Sequence, residues 1–317
     1  MAIDCLSVGV LVADHLCAPI PRLPKSGELM LTDHLLLNIG GCASNAAMDL
    51  ARLGVKVGVV GCVGEDAFGR FVIETLEAEG IDTSSIRRVA GVGTSGTLII
   101  NVKGEDRRFI HTVGANALLS IADIPIDRIG EVKVLYVGGY LLLPGLVAQD
   151  LTRLFREARR QGVKTVLDVV MPGPGDHWRQ LEGLLGETDV FLPNNDEAAA
   201  LTGLDDPRQQ ALRFREAGAG TVVITCGDRG TVLVSDSLRV QADVYPVPYV
   251  GATGAGDAFD AGYIAGLLAG GDPRECLEWG SALGASCVRS ISATESVFDR
   301  AEAETFIRER PLKIVSW

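Results

Sequence analysis

The chain has 317 residues, 47% hydrophobic and 22% charged, which is long enough for one large α/β unit with a small subdomain and too apolar for a disordered one. A net charge of −12 leaves no basic excess for a nucleic-acid partner or an anionic membrane, so a phosphate ligand must be held by backbone amides, a metal and a few local cations. Seven cysteines without a C-x-x-C pair read as buried free thiols. Asp4 stands where a secretory signal would be basic, and no apolar run reaches membrane-spanning length, so the expected location is the cytoplasm.

From the N-terminus, a β-like run near Cys5 to Val10 leads into Val12 to Leu37, a stretch with Pro19, Pro21 and Pro24 followed by short β-like runs. A helix near Ala43 to Leu53, a strand near Val55 to Cys62 and a helix near Ala67 to Glu79 come next. Thr97 to Val113 reads as two strands around the polar turn Lys103-Gly104-Glu105-Asp106. Strands follow near Val134 to Val137, Thr165 to Asp168, Val190 to Leu192, Thr221 to Thr225 and Thr231 to Val234, with helices near Leu146 to Gln161 and Pro207 to Ala217 among them. Three helices close the chain, near Ala255 to Ala269, Pro273 to Val288 and Arg300 to Arg308. Gly54, Gly80, Gly162 and Gly218 stand where helices end in a left-handed cap.

This alternation predicts an α/β fold, a largely parallel sheet with helices on both faces. The two stretches without crossover helices cannot extend such a sheet easily. They are expected to form a small β lid over the crevice at the carboxyl ends of the main strands. Residues 1–317 are therefore expected to be one domain with lid segments at about 12–37 and 97–113. A small sheet with one apolar face needs a cover, which predicts a homodimer through the lid.

Tyr249 to Phe259 joins a turn of small residues to a helical pattern with an acid in its first turn. Gly254 and Gly256 let three backbone N–H groups converge, and the helix N-terminus adds partial positive charge, which suits an anion. Asp257 beside that anion is placed to take a proton from an attacking hydroxyl; an acid that only complements the helix dipole would look the same. Ile39 to Ala47 sets Gly40 and Gly41 before a helix with Asn45 in its first turns, fit for a ligand's hydroxyls or simply for a tight strand-to-helix turn. Asn194 and Glu197, three residues apart after a strand, can serve a phosphate and a hydrated Mg²⁺, or form a capping box. Thr225 to Gly230 lies between two strands, where a hairpin-like turn is the plain alternative. Gly91 to Gly96 matches G-x-G-x-x-G, but a β-like run follows it in place of a helix, so a turn entering a lid strand is expected. There is no G-x-x-x-x-G-K-[ST], and His15, His34, His111 and His177 lack metal-ligand spacing.

In this order, and over essentially the whole chain, these segments resemble the ribokinase-like, phosphofructokinase-B type (PfkB) family of carbohydrate kinases. Gly40-Gly41 through Asn45 to Gly54 and Gly64 is similar to the family's N-terminal signature, and Gly254-Ala255-Gly256-Asp257 to its C-terminal one. Asn194 and Glu197 match its N-x-x-E element; Thr225, Gly227 and Gly230 match T-x-G-x-x-G. The resemblance implies a three-layer α/β/α domain with a β lid, ATP and Mg²⁺ as cofactors, Asp257 as catalytic base and Gly254, Ala255 and Gly256 as an anion hole. It also implies Asp14, Gly40, Gly41 and Asn45 around the substrate, Asn194 and Glu197 at the phosphates with Glu197 reaching Mg²⁺ through water, and Thr225, Gly227 and Gly230 at the nucleotide.

The pattern departs from the family at three places. Gly251-Ala252 stand where an Asp-Thr pair is usual, and that Asp helps hold a monovalent cation in potassium-activated members, so potassium activation is expected to be weak or absent. Val12 stands where ribokinase has a sugar-binding Asn. Tyr140 falls about where it has a sugar-binding Glu, which makes Tyr140 a substrate-site candidate and leaves strict ribose specificity unsupported. Asp168 begins a stretch like D-x-N-x-R, with Val170 and Pro172 at the Asn and Arg positions. The expected activity is ATP-dependent phosphorylation of a hydroxymethyl group on a small sugar or polyol. A ribonucleoside kinase would use the same pocket with Tyr140 or Leu16 toward the base. A sugar phosphate would need Lys25, Arg107 or Arg108, and a non-catalytic sugar- or nucleotide-binding regulatory protein would keep the same fold.

Overall fold

Strand residues alternate between the two faces of a sheet, so a sheet with helices on both sides needs apolar residues at nearly every position. The computed structural model describes residues 3–105 and 107–317; Asp106, in the turn expected within the lid, lies outside the described residues. The chain begins with β1 (Cys5–Gly9), then β2 (Val12–Cys17) and β3 (Leu35–Gly40) on either side of the prolines. It continues through α1 (Cys42–Arg52), β4 (Val57–Gly64), α2 (Ala67–Ala78), β5 (Asp82–Val89), β6 (Gly96–Ile100) and β7 (Arg108–Thr112). Next come β8 (Val134–Gly138), α3 (Ala148–Arg160), β9 (Lys164–Leu167), α4 (Trp178–Leu185), β10 (Val190–Phe191), α5 (Asn195–Thr202) and α6 (Pro207–Glu216). The last elements are β11 (Thr221–Thr225), β12 (Thr231–Val234), β13 (Arg239–Ala242), α7 (Ala255–Leu268), α8 (Pro273–Cys287), α9 (Arg300–Glu309) and β14 (Ile314–Ser316).

Ten strands form the main sheet in the order β14-β13-β12-β11-β10-β9-β8-β1-β4-β5. The pairs from β11 to β5 are parallel and the last three are antiparallel. Every residue of β1, β4 and β8 is buried, and successive side chains feed two cores. Val134 and Tyr136 join one core, with residues of α1, α2, α7, α8 and α9, while Leu135 and Val137 join the other, with α3, α4, α5 and α6. Three layers result, as the resemblance implied.

The lid is a four-stranded sheet in the order β3-β2-β6-β7. Its register puts Asp14, Asn38, Thr97 and His111 on one face, and His15, Leu37, Leu98 and Ile110 on the other. The second face is apolar and open: Leu35, Leu98 and Ile110 are 78%, 44% and 62% exposed. Gly91 to Gly96 is the turn that enters β6, where the Thr94 N–H and hydroxyl donate to Asp66 Oδ2 and Oδ1 at 2.7 and 2.6 Å; it is no dinucleotide loop.

Differences from the sequence-based expectation lie at edges. β4 begins at Val57, two residues after the expected Val55, and runs on to Gly64. β5, α4, β13 and β14 were not anticipated. β5 and β14 are the two edge strands and are only partly buried, so their sequences carry no continuous apolar run. No described helix is long and apolar enough to cross a membrane, and all seven cysteines are free.

Candidate active site

The carboxyl ends of parallel strands open a crevice wherever neighbouring crossovers diverge. Along it lie Gly139-Tyr140 after β8, Asp168 after β9, Asn194 after β10 and Thr225 at the end of β11. Asp14 hangs over it from the lid. α7 enters from the side, capped by Gly254 at φ 77° without a side-chain capping bond. Only glycine fits there, because a Cβ would come within 2.6 Å of the Ala293 side chain and carbonyl. Ala255 donates to Ala252 O at 3.2 Å, so one of the three N–H groups expected at the anion hole is taken. The Gly256 N–H and, outside the expected Gly254 to Gly256 set, the Asp257 N–H meet no acceptor among the described residues and remain for a ligand.

Asp257 keeps part of its surface open to the crevice, and Asn45 Nδ2 donates to its Oδ2 at 2.7 Å. Burial pushes its carboxyl up; the hydrogen bonds from Asn45 and Cys42 oppose that. Near it, two buried atoms have no hydrogen-bond partner among the described residues, Asp14 Oδ1 and Asn45 Oδ1; Tyr140 OH, in the core on the other face of the sheet, is unpaired as well. Such atoms are costly unless something arrives to pair with them. Gly40 is required for this arrangement, since a Cβ there would lie 2.0 Å from Asp14 Oδ2. Gly41, at φ 93°, backs onto Val10 O, which a Cβ would approach to 2.4 Å. Burial, and then the charge of Asp257, raise Asp14 to about 6 against the bond from Thr97. Leu16 and Tyr140 are 3% and 1% exposed, so neither offers an open face to a nucleobase.

Asn194 and Glu197 form the capping box that their spacing allows. Asn194 Oδ1 accepts from the Asp196 and Glu197 N–H groups, and Glu197 Oε2 accepts from Asn194 N–H, each at 2.9 Å. The structural role does not exhaust Glu197: burial, countered by the Asn194 bond and assisted by Asp257 and Asp196, lifts its carboxyl to about 7. Asp168 is raised well above its ordinary value by burial, Glu197 and Asp257, against a 3.0 Å bond from Gly139 N–H. A group of mutually repelling carboxylates suits a divalent cation, and Glu197 has Oε1 left for a hydrated one. Thr225 bridges to Asn194, which joins the two elements expected at the nucleotide. Gly230 is accounted for by the hairpin, because a Cβ there would meet Ala242 O at 1.9 Å.

A family model, pfkB family carbohydrate kinase, matches residues 5–300. The chain belongs to that family. This carbohydrate kinase, a phosphotransferase, is 28% identical over 305 residues to the ribokinase of Haemophilus influenzae, which covers 95% of this chain and 97% of the relative. It is 29% identical over 286 residues to a 5-dehydro-2-deoxygluconokinase of Clostridium perfringens, covering 86% of this chain and 84% of that one. The structure of Arabidopsis thaliana ribokinase complexed with ribose and ATP matches it with a TM-score of 0.82 at 25% identity, over 97% of this chain and 99% of the other.

Several groups at the kinase's crevice were missed in the sequence. Cys42 Sγ and one oxygen each of Asp168 and Asp257 lie within 4.8 Å of one another, and Tyr136 OH donates to Asp260 Oδ2 at 2.9 Å just behind. Asp168 had a usable signal, an acid directly after a buried strand; Cys42 and Asp260 had none. Ser290 to Val297 packs against the Gly251–Gly254 turn and is pinned by two arginines. Arg52 donates to the carbonyls of Thr294, Glu295 and Val297, and Arg289 to those of Ser286 and Ser296. From the lid, Asn38 Nδ2 reaches Ser292 Oγ at 3.1 Å, and Arg107 reaches Thr253 Oγ1.

Proposed function

We propose that this kinase transfers the γ-phosphoryl group of ATP to a hydroxymethyl group of a small sugar, with the chain acting as one domain whose lid segments lie at about 12–37 and 97–113. The observation that carries this proposal is the placement of Asp257 between two unpaired first-turn N–H groups and the unpaired oxygens of Asp14 and Asn45. Asp257 takes the hydroxyl proton while Asn45 holds its other face in line. The N–H groups of Gly256 and Asp257, in the turn with Gly254 and Ala255, receive charge that develops on the phosphoryl oxygens. Asp14 and Asn45 pair with the sugar hydroxyls over Gly40 and Gly41. Thr225 and Gly227 line the nucleotide, with Asn194 toward its phosphates. A magnesium ion bound through water at Glu197 would supply charge neutralisation on the phosphates. The ribokinase of Haemophilus influenzae and the ribose and ATP complex of the Arabidopsis enzyme support this assignment.

The test is a screen for ATP consumption over sugars, sugar phosphates and nucleosides. A neutral sugar is expected to give the highest kcat/KM. Turnover on nucleosides alone would overturn the sugar assignment, and no turnover on any class would point to a binding protein that keeps the fold.

A further inference from the structure

Cys42 opens α1, and its Sγ lies within 4.8 Å of one oxygen each of Asp168, after β9, and Asp257, in the first turn of α7. One thiol proton cannot serve two carboxylates, yet the Cys42 thiol is a donor that both of them share. Each has one further donor: Gly139 N–H reaches Asp168 Oδ2 at 3.0 Å, and Asn45 Nδ2 reaches Asp257 Oδ2 at 2.7 Å. The charges felt at Cys42 are all negative, those of Asp257, Asp168 and Asp260, so the group is short of positive charge. A second observation points to a ligand. The Asn45 amide, one turn after Cys42 on the same face of α1, is 3% exposed and turned into this group, and its Oδ1 has no partner among the described residues. Asp257, only half-buried, keeps the group in contact with the crevice and gives an ion a way in.

We propose that Cys42, Asp168 and Asp257 form a site for a zinc-class divalent cation, and that filling it switches the kinase off by occupying its base. The inhibition rests on the mechanism proposed above; the binding does not. Zinc takes sulfur at about 2.3 Å and carboxylate oxygen at about 2.0 to 2.2 Å, which sets neighbouring ligand atoms about 3.5 Å apart. Side-chain rotation closes the remainder of a 4.8 Å separation. The S–H bond breaks as the sulfur–metal bond forms; sulfur keeps the electron pair and the proton leaves to solvent, so no oxidant or reductant is required. Three protein ligands leave a fourth position for water, from which Asn45 Oδ1 can accept a hydrogen bond. The sulfur selects the metal. A thiolate prefers zinc to magnesium, so the hydrated Mg²⁺ of the nucleotide, assigned to the oxygens of Glu197, does not compete. A metal here holds the carboxylate that would take the hydroxyl proton, and its water stands where the acceptor hydroxyl would sit.

The experiment uses the full chain stripped of metal, with Co²⁺ and then Zn²⁺ as probes at buffered free concentrations, and compares the wild type with Cys42→Ser, Cys42→Ala and Asp168→Asn. Melting temperatures of the metal-free samples identify the folded variants, and Asp168→Asn tests the site with the thiol in place. One equivalent of Co²⁺ should give the wild type a sulfur-to-cobalt absorption that Zn²⁺ bleaches, and the absorption should vanish in both Cys42 variants. Losing a group that merely supports a metal ligand typically costs about 10- to 100-fold in affinity, so losing the ligand itself in Asp168→Asn should weaken binding by at least about tenfold. Turnover on the best neutral sugar is then measured with acceptor and ATP varied in turn. Zn²⁺ should inhibit the wild type competitively with the acceptor, and a chelator should reverse it. Each Cys42 variant, measured against its own metal-free rate, should need at least about tenfold more Zn²⁺ for the same inhibition. Cobalt absorption or zinc inhibition of equal strength in the Cys42 variants would overturn the proposal. Inhibition competitive with ATP alone would put the metal at the phosphates and overturn it as well. A Cys42-dependent cobalt absorption in a wild type that phosphorylates no acceptor would uphold the site and remove the kinase mechanism instead.

Discussion

Replacing Asp257 with Asn separates a proton acceptor from an acid that merely starts a helix. The change keeps the size of the side chain and leaves a carbonyl oxygen that can still accept the 2.7 Å bond from Asn45 Nδ2. If Asp257 only complements the dipole of α7, the cost is about a few tenths of a kcal/mol in stability and little activity. As the proton acceptor it is worth about 10²- to 10⁴-fold in kcat, which is about 2.7 to 5.4 kcal/mol of barrier. Stability should move the other way. Burial already disfavours the charged form of this carboxyl, so a neutral amide should leave the melting temperature unchanged or raise it. Nucleotide affinity should hold or tighten as one negative charge leaves the phosphate region. The assay is kcat, nucleotide affinity and melting temperature on one preparation. Retention of more than about a tenth of wild-type kcat would refute the mechanism, and a large drop in melting temperature beside lost activity would mean that Asp257 chiefly holds the fold.

Asp14→Ala should remove a charge-assisted bond to a substrate hydroxyl, costing about 1.5 to 3 kcal/mol in kcat/KM; unchanged acceptor kinetics in both Asp14→Ala and Asn45→Ala would put the acceptor elsewhere. Potassium should activate weakly or not at all, because Gly251 has no side-chain oxygen, a Cβ there would lie 3.2 Å from Ser290 O, and neighbouring loop carbonyls already face the fixed charges of Arg52 and Arg289. A large rate gain on exchanging sodium for potassium at constant ionic strength would contradict this. Asp14 and Glu197, lifted to about 6 and about 7, bind protons more tightly folded than unfolded, so their contribution falls as pH rises from the ordinary carboxylate range through those values. The ligand-free protein should melt higher at about pH 6 than at about pH 8, with Glu197→Gln flattening the difference; a melting temperature that rises over that interval would oppose it. The apolar lid face, turned away from Asp14 and so out of a substrate's reach, should be covered by a second copy, which light scattering would report as a dimer at micromolar concentration; a monomer would count against it.

Much of this was legible because local chemistry and tertiary packing agree. The glycine stops after α1, α2, α3 and α6 all adopt positive φ, and the small-residue turn into α7 is where the sequence puts it. Legibility failed where an element is polar and lies at an edge, as in β5 with its Asp-Thr-Ser-Ser start, or is short, as in α4. At the site, Asp257, Asn45 and Asp14 could be named from motifs. Their assembly with Cys42 and Asp168 could not, because these groups come from α7, α1, β2 and the end of β9, elements that meet only when the sheet is in order. Asn194 and Glu197 show the opposite hazard: a capping box satisfies the same spacing whether or not a ligand is ever bound.

The lid's central pairing sets Ala13 to Leu16 of β2 beside Gly96 to Ile99 of β6. These partners are separated by α1, β4, α2 and β5, so their loop can close only after that intervening chain has found its place. The lid is thus expected to be the last part to fold and, resting on long-range pairings outside the main sheet, the first to come apart. Hydrogen exchange in the native state should then lose protection at β2, β3, β6 and β7 well before β1, β4 and β8. The acceptor pocket of this kinase consequently takes Asp14 from the least durable part of the chain, so mild heat or denaturant should silence turnover while the main sheet is still intact.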